Sequence, residues 1–364
     1  MTEEFFMREA LRIARYAEGR TSPNPLVGAV VVRDGKIVAQ GWHRKAGTPH
    51  AEIHALNMAG ELARGATLYV TLEPCSHFGR TPPCAFAIVD AGIKKVVAAM
   101  SDPNPKVAGR GFDILRSAGV EVEDGLLEDE ARKLNEVFVK WVTRKLPFVT
   151  LKFACSLDGK IATVGGQSQW ISCEASRKFS HGLRDINDAI LVGIGTVLAD
   201  NPSLTTRLVD GKNPVRVIVD SNARIPPDAQ VVTDKSARTI VAVTSNAPSE
   251  KVSALQSHGV EIVTAGDGQR VDLRTLMREL AAREITSILV EGGATIHFAM
   301  LQAGLVDKVL AFVAPKILGG SQALTAVAGA GFAKLSDAVE LENFTVQQLD
   351  ADFLLSGYVR GVSP

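Results

Sequence analysis

The chain carries His50-Ala51-Glu52, then Glu73-Pro74-Cys75, then a further cysteine at position 84, and this set constrains it first through metal chemistry. One imidazole and two thiolates make a tetrahedral zinc site with an open fourth position, the arrangement of a catalytic ion rather than a structural one. Zinc brings the pKa of a bound water towards ~7, so hydroxide is available at neutral pH for a ring carbon that bears an amino group. Glu52 lies two residues after His50 at the start of the same predicted helix, where it can take the water's proton and deliver it to departing ammonia. That helix is expected from about His50 to Arg64, with Ala55, Ala59, Leu62 and Ala63 on its apolar side. TLYVTL reads as a buried strand ending just before Glu73, and Cys75 is expected to open a helix or tight loop whose N–H groups stabilise a thiolate. The thiol spacing departs from the usual H-x-E…P-C-x-x-C signature, because PCSHFGRTPPC puts eight residues between the two cysteines. On spacing alone Cys84 is either the third ligand or a buried packing residue. His54 reads as a capping or core histidine, since the ligand set is already full, and His77 between the thiols as a contact to zinc or, in preference, to substrate.

The surrounding pattern is that of an α/β domain. Phe6, Ala10, Ile13, Ala14 and Ala17 recur at helical spacing, and VGAVVV and KIVAQG flank Asp34-Gly35 as a hairpin. Helix and strand then alternate: AFAIVDAG opened by Pro82 or Pro83, KKVVAAM, a helix over 108–118, and VEVED. The order predicts a three-layer α/β/α sandwich on a mixed sheet. The charged amphipathic stretch 128–145 reads as a last helix, and a new β pattern begins with FVTLKFA, which places a first domain over 1–145 and a second over 146–364. Strands are expected at 189–193, 214–220, 239–243, 287–292 and 308–315, separated by helices, so the second half is α/β too. It holds no G-x-G-x-x-G after its first strand. It does hold two glycine turns, Val192–Thr196 and Glu291–Thr295, and a helix N-terminus after glycines is an anion site. Gly292, Gly293, Ala294 and Thr295 are candidates for a cofactor pyrophosphate, or form a tight turn with no ligand.

Composition argues against other classes. Lys+Arg and Asp+Glu balance at 40 each and aromatics make up 5%, unlike the basic, aromatic-rich face of a nucleic-acid deaminase. The four cysteines do not make a disulfide framework, the N-terminus has no signal-peptide pattern and no apolar run is long enough for a membrane span; a cytoplasmic protein with no nucleic-acid or membrane partner is expected. A structural zinc site in an assembly module is the non-enzyme alternative, and it would need His54 or His77 as a fourth ligand.

Taken together, TSPNPLVGAVVV, GWHRKAGTPHAEIHAL, TLEPCSHFGRTPPC and DPNPKVAGRG resemble the bifunctional riboflavin-biosynthesis deaminase/reductase family, whose own signature has the long loop between cysteines. LKFACSLDGKIA, GQSQWIS, VGIGTVLADNPSLTTR, VIVDSNARIP, ILVEGGATIHFAML and APKILGG follow in that family's order, so the resemblance covers nearly the whole chain. It implies a cytidine-deaminase-like sandwich followed by a dihydrofolate-reductase-like α/β domain, with Zn²⁺ and NADPH as cofactors. The implied substrate is a small pyrimidine ribosyl phosphate, and the implied assembly a homo-oligomer, dimer or tetramer. The zinc ligands carried over are His50, Cys75 and Cys84, with Glu52 catalytic. In the same way NADPH would meet Ala154, Trp170, Thr196, Asp200, Ser221 and Gly293, Ala294 and Thr295. Substrate would meet Ser168, Arg184, Leu204, Arg207 and Glu291 in the second domain, and Asn24, His43 and His77 in the first, where Arg80 and Asn104 also fall in matched motifs. Arg184 and Arg207 suit phosphate, since guanidinium grips it in bidentate fashion, or form salt bridges. Lys152 should alternate away from Leu151 and Phe153 into the cleft, where a cation steadies the oxygen of a ring-opened ribose while Glu291 relays a proton. Asp158 reads as a turn former or a functional acid, and Arg224 as a candidate for the cofactor's 2′-phosphate.

Overall fold

The computed structural model describes residues 1–76, 83–104 and 107–361. The chain divides into two compact units, Met1–Lys145 and Leu146–Ser363.

The first unit runs α1 (Glu3–Ala14), β1 (Gly28–Arg33), β2 (Lys36–Trp42), α2 (Ala51–Ala59), β3 (Thr67–Val70), α3 (Cys84–Asp90), β4 (Lys95–Ala98), α4 (Arg110–Ser117), β5 (Glu121–Asp124), α5 (Glu128–Leu134) and α6 (Glu136–Arg144). Its sheet has the order β2-β1-β3-β4-β5, antiparallel across β2-β1-β3 and parallel across β3-β4-β5. The expected hairpin forms: Arg33 pairs with Lys36, and Asp34 and Gly35 take the positive φ of a two-residue turn. Two strand glycines show how the layers close. A Cβ on Gly28 would stand 2.0 Å from the Ala10 carbonyl oxygen of α1, and one on Gly41 would stand 2.4 Å from the Ala51 carbonyl oxygen of α2. Gly41 pairs with Ala29, the neighbour of Gly28, so the two glycines face opposite sides of the sheet. Helices α1 and α2 therefore cover opposite faces, which is the three-layer sandwich.

Two helices depart from the sequence pattern. Helix α2 stops at Ala59 because Gly60 adopts φ 51°, a short 3₁₀ turn follows to Ala63, and Leu62 ends 49% exposed instead of on the apolar side. The stretch 128–145 is broken at Asn135, which is buried with its side-chain amide on both backbone groups of Leu26, accepting at 2.8 Å and donating at 3.0 Å. A buried polar side chain satisfied in this way outweighs helix continuity.

The second unit runs β6 (Phe148–Ser156), α7 (Glu174–Ile186), β7 (Ala189–Gly193), α8 (Ile194–Asp200), β8 (Val215–Val219), α9 (Gln230–Thr233), β9 (Thr239–Val243), α10 (Ser249–Ser257), β10 (Glu261–Thr264), α11 (Leu273–Ala282), β11 (Ser287–Gly292), α12 (Ala294–Gln302), β12 (Lys308–Ala314), β13 (Leu341–Leu349) and β14 (Asp352–Val359). The sheet order is β10-β9-β8-β7-β11-β6-β12-β14-β13, parallel from β10 to β12 and antiparallel through the last two strands. The inner strands are apolar throughout because helices bury both faces: Leu191, Val217 and Ile288 belong to one core, Ile190, Ile218 and Val241 to another. The chain order turns around at β6, β7 and β11, and in open α/β sheets ligands gather at the carboxyl ends of strands where this happens. No helix among the described residues is long and apolar enough to cross a membrane.

Candidate metal centre and second-unit cleft

In the first unit, α2 and α3 bring their N-terminal ends to the C-terminal side of β3. His50 is the N-cap of α2, and Cys84 is the first residue of α3 after Pro83. His50 Nδ1 lies 3.3 Å from Cys84 Sγ and 3.5 Å from Cys75 Sγ, and the three donor atoms fall within 4.8 Å of one another. The helix expected after Pro82 or Pro83 opens at Cys84, and its first backbone N–H donates to Cys75 Sγ at 3.2 Å. The Cys84 thiol and backbone N–H, together with His50, hold the Cys75 thiol below the ordinary thiol range.

Glu52, in the first turn of α2, is 3% exposed, and its Oε2 has no hydrogen-bond partner among the described residues. Burial, and then the neighbouring Cys75 charge, push its carboxyl up to about 7. An orphaned carboxylate oxygen beside two thiols is costly in an apolar interior. A dication with an exposed water relieves the repulsion and supplies the missing partner, so the donor set fits zinc. Among the described residues, His54 Nε2 is buried without a partner and does not join the cluster.

His43 and Asn24 extend the site. The His43 ring is buried, meets the His50 ring edge to face at 5.3 Å, and donates from Nδ1 to the Pro49 carbonyl at 3.2 Å. Its Nε2 therefore accepts from the Asn24 amide at 3.1 Å, and burial keeps the ring neutral by lowering its pKa. His77 and Arg80 lie outside the described residues. Asn104 is half-buried, with its backbone N–H on Asp102.

Glu73 was part of the E-P-C motif but had no role on sequence grounds. Its buried carboxylate accepts the backbone N–H groups of Asp102 and Gly109 at 3.0 Å each and of Gly111 at 2.8 Å. It thereby ties the segment bearing Asn104 to the chain just before Cys75. A Gly111 Cβ would stand 2.0 Å from the Pro74 carbonyl oxygen, so the two segments meet through bare backbone. Glu73→Gln turns one acceptor into a donor facing an N–H, and should cost about 1–3 kcal/mol of first-unit stability in urea unfolding, together with faster zinc loss to chelator. An unchanged midpoint would show the three bonds to be dispensable.

In the second unit the strand alternation holds. Leu151 and Phe153 face the large core, whereas Lys152 and Ala154 face α7, with Lys152 Nζ 5.5 Å from the Phe312 ring centroid. Lys152 Nζ lies 3.5 Å from Glu291 Oε2 at the end of β11. Arg184 of α7 grips the same carboxylate with both prongs, at 2.7 and 2.9 Å, and donates to the Thr205 carbonyl at 2.9 Å. The bidentate fork of Arg184 is thus engaged with Glu291 rather than held open for an anion. Burial raises the Glu291 carboxyl, but Arg184 and Lys152 overcome it and hold it at about 2; burial lowers the Lys152 ammonium. Arg207 is exposed, and its guanidinium reaches Ser203 Oγ. Leu204 has φ 52° and a buried side chain, so only its backbone can meet a ligand.

The two glycine turns lie against each other. Gly293 has φ 84°, a conformation glycine adopts without cost, and it opens α12. Cβ atoms on Gly292 and Gly293 would stand 2.9 and 3.7 Å from Thr196 Oγ1, and one on Gly193 would stand 2.7 Å from Ile296. The turns thus bring Thr196 beside Gly293, Ala294 and Thr295 at the helix N-terminus. Asp200 is exposed at the end of α8. Ser221 Oγ accepts the Val271 N–H at 3.0 Å. Ser168 is half-buried, and Trp170 is exposed with the Arg177 guanidinium 4.6 Å from its ring centroid. Asp158 accepts from Ser156 Oγ and from the N–H groups of Leu318 and Gly319, so turn formation accounts for it. Arg224 lies 3.7 Å from the buried Asp220.

Two family models match the chain. Residues 147–355 match the family described as the RibD C-terminal domain, and residues 1–100 match the cytidine and deoxycytidylate deaminase zinc-binding region. The riboflavin biosynthesis protein RibD of Bacillus amyloliquefaciens is 46% identical over 97% of this chain and 95% of its own length; that of Escherichia coli K12 is 42% identical over 98% and 99%. Among solved structures, Acinetobacter baumannii RibD superposes with a TM-score of 0.88 at 40% identity, covering 98% of both chains. The Thermotoga maritima diaminohydroxyphosphoribosylaminopyrimidine deaminase/5-amino-6-(5-phosphoribosylamino)uracil reductase superposes with a TM-score of 0.86 at 41% identity, again over 98% of both chains.

Proposed function

The chain belongs to the RibD family of bifunctional deaminase/reductases of riboflavin biosynthesis, with a cytidine-deaminase-like first unit and a dihydrofolate-reductase-like second, and on that premise we propose which substrate each unit takes and which residues act on it. The first unit hydrolyses the 2-amino group of 2,5-diamino-6-(5-phosphoribosylamino)pyrimidin-4(3H)-one. The second reduces the ribosyl group of the deaminated product and gives 5-amino-6-(5-phosphoribitylamino)uracil. The observation that carries the reading is the convergence of His50, Cys75 and Cys84 beside the buried, half-unpartnered carboxylate of Glu52.

His50, Cys75 and Cys84 would hold zinc, which supplies Lewis-acid activation of water at neutral pH. Glu52 takes the proton of the attacking water, keeps it in a site that favours the protonated carboxyl, and gives it to the amino group as the C2–N bond breaks. Asn24 and the neutral His43 orient the pyrimidine beside His50, and His77 is assigned to the same substrate from its motif.

In the second unit Ala154, Trp170, Thr196, Asp200, Ser221 and the turn Gly293-Ala294-Thr295 would hold NADPH, which supplies the hydride. The N–H groups at the start of α12 suit its pyrophosphate. Ser168, Arg184, the Leu204 backbone, Arg207 and Glu291 frame the substrate. Lys152 gives a proton to the ring oxygen of the sugar as the C1′–O bond opens and hydride reaches C1′, and Glu291, held ionised by Arg184, orients the ammonium. Family membership also supports a cytoplasmic homo-oligomer, dimer or tetramer.

A coupled assay tests the reading. Ammonia release from the diaminopyrimidine ribosyl phosphate should proceed without NADPH, and NADPH oxidation should require the deaminated product. Oxidation of NADPH with the undeaminated substrate at an equal rate would reverse the order of the two steps.

A further inference from the structure

Helix α7 meets the 203–207 segment with two side chains one turn apart. Arg184 donates to the Thr205 carbonyl. Three residues earlier, His181 is 6% exposed, and its Nδ1 accepts the Arg207 backbone N–H at 2.9 Å. A backbone N–H can only donate, so the bond requires an unprotonated Nδ1, and the neutral ring carries its hydrogen on Nε2. The segment needs holding. Leu204 stands at φ 52°, a left-handed conformation that a leucine keeps only when its surroundings impose it. Asn213 takes the Thr206 N–H at 2.9 Å and Arg207 reaches Ser203, so the segment is tied at nearly every residue.

We propose that His181 is a positioning residue for the reductase: by accepting the Arg207 N–H it holds the segment that presents Leu204 and Arg207 to the substrate. The inference rests on the assignment of this segment to substrate binding in the proposed function. It assigns His181 no contact with substrate or cofactor. The charged groups around the ring are Arg184, Arg207, Lys152 and Glu291, and burial with this mainly cationic company pushes its pKa down to about 4, so the acceptor form persists at neutral pH.

His181→Leu should raise the reductase KM for the deaminated pyrimidine about tenfold, the worth of one hydrogen bond in a binding constant, with kcat, the KM for NADPH and deaminase activity unchanged. His181→Asn, whose Oδ1 stands near the place of Nδ1, should recover most of that loss. A fall in kcat at constant KM, equal damage in both variants, or full activity of His181→Leu would each overturn the proposal. ¹⁵N spectra of the wild-type imidazole test it without any variant, even if His181→Leu does not fold. They should show Nδ1 unprotonated and hydrogen-bonded, and a proton on Nδ1 would refute it. If the wild-type protein reduced no deaminated pyrimidine, the substrate assignment would fail, while the spectra would still decide whether the bond exists.

Discussion

Glu52→Gln should give a protein that retains zinc and reduces deaminated pyrimidine at the wild-type rate, yet releases ammonia from the diaminopyrimidine about 10²–10⁴-fold more slowly. The amide has the shape of the acid and cannot carry the proton between water and leaving group. Stability should not suffer. Glu52 is buried with one oxygen unpartnered, so its ionised form is the costly state, and an amide avoids that cost. Zinc should stay because the three donors that hold it are His50, Cys75 and Cys84. The measurements are metal content, ammonia by a coupled dehydrogenase, and NADPH oxidation with the deaminated compound supplied. Ammonia release at the wild-type rate in a zinc-loaded Glu52→Gln protein would remove Glu52 from the chemistry. Loss of metal together with activity would move its role to holding the site together.

Sequence revealed the features that depend on local pattern and on residue type. The strands β1, β2, β6 to β9, β11 and β12 follow from short runs of β-rich, mostly apolar residues, the Asp34-Gly35 turn from turn chemistry, and the side of β6 that Lys152 faces from alternation. His50 and Cys75 stood out because few residues bind zinc. What stayed hidden depends on contacts distant in the chain. Helix α5 ends where Asn135 finds the backbone of Leu26, 109 positions away. Strands β13 and β14 pair with each other and with β12 at the edge of the sheet, and the polar outer strand carries no buried alternation to betray it. Strand β10 is short and only partly buried. The capture of Arg184 by Glu291 spans 107 positions, and the motif offers phosphate or a salt bridge for its fork without naming the partner. Glu73 and His181 each act on backbone N–H groups, which no side-chain motif records. The one signal for His181 was its place three residues before Arg184 in KFSHGLRD, on one face of a helix.

Lys152→Met should lower reductase kcat about 10²–10⁴-fold and leave the second unit as stable as before, whereas Glu291→Gln should lose both activity and stability. The difference follows from charge. Lys152, Arg184 and Glu291 form a buried cluster of two cations on one anion. Removing Lys152 leaves the bidentate Arg184–Glu291 pair neutral and intact, and methionine fills the lysine's stem beside Phe312. Removing the charge of Glu291 leaves two buried cations facing an amide, a loss typically of about 3–5 kcal/mol for one member of a buried ion cluster. The acid limb should show the same asymmetry. Glu291 stays ionised down to about 2 in the fold, against 4.5 for an ordinary glutamate, so its contribution is complete above pH 4.5 and declines as pH falls towards 2. Urea unfolding of the second unit between pH 5 and pH 2 should therefore be shallower in Glu291→Gln than in the wild type or Lys152→Met. Deaminase activity, housed in the other unit, should be normal in Lys152→Met. A Lys152→Met protein that still reduces the sugar at full rate would hand the proton-donating role to another group in the cleft. One that unfolds as readily as Glu291→Gln would make the lysine a structural counter-charge.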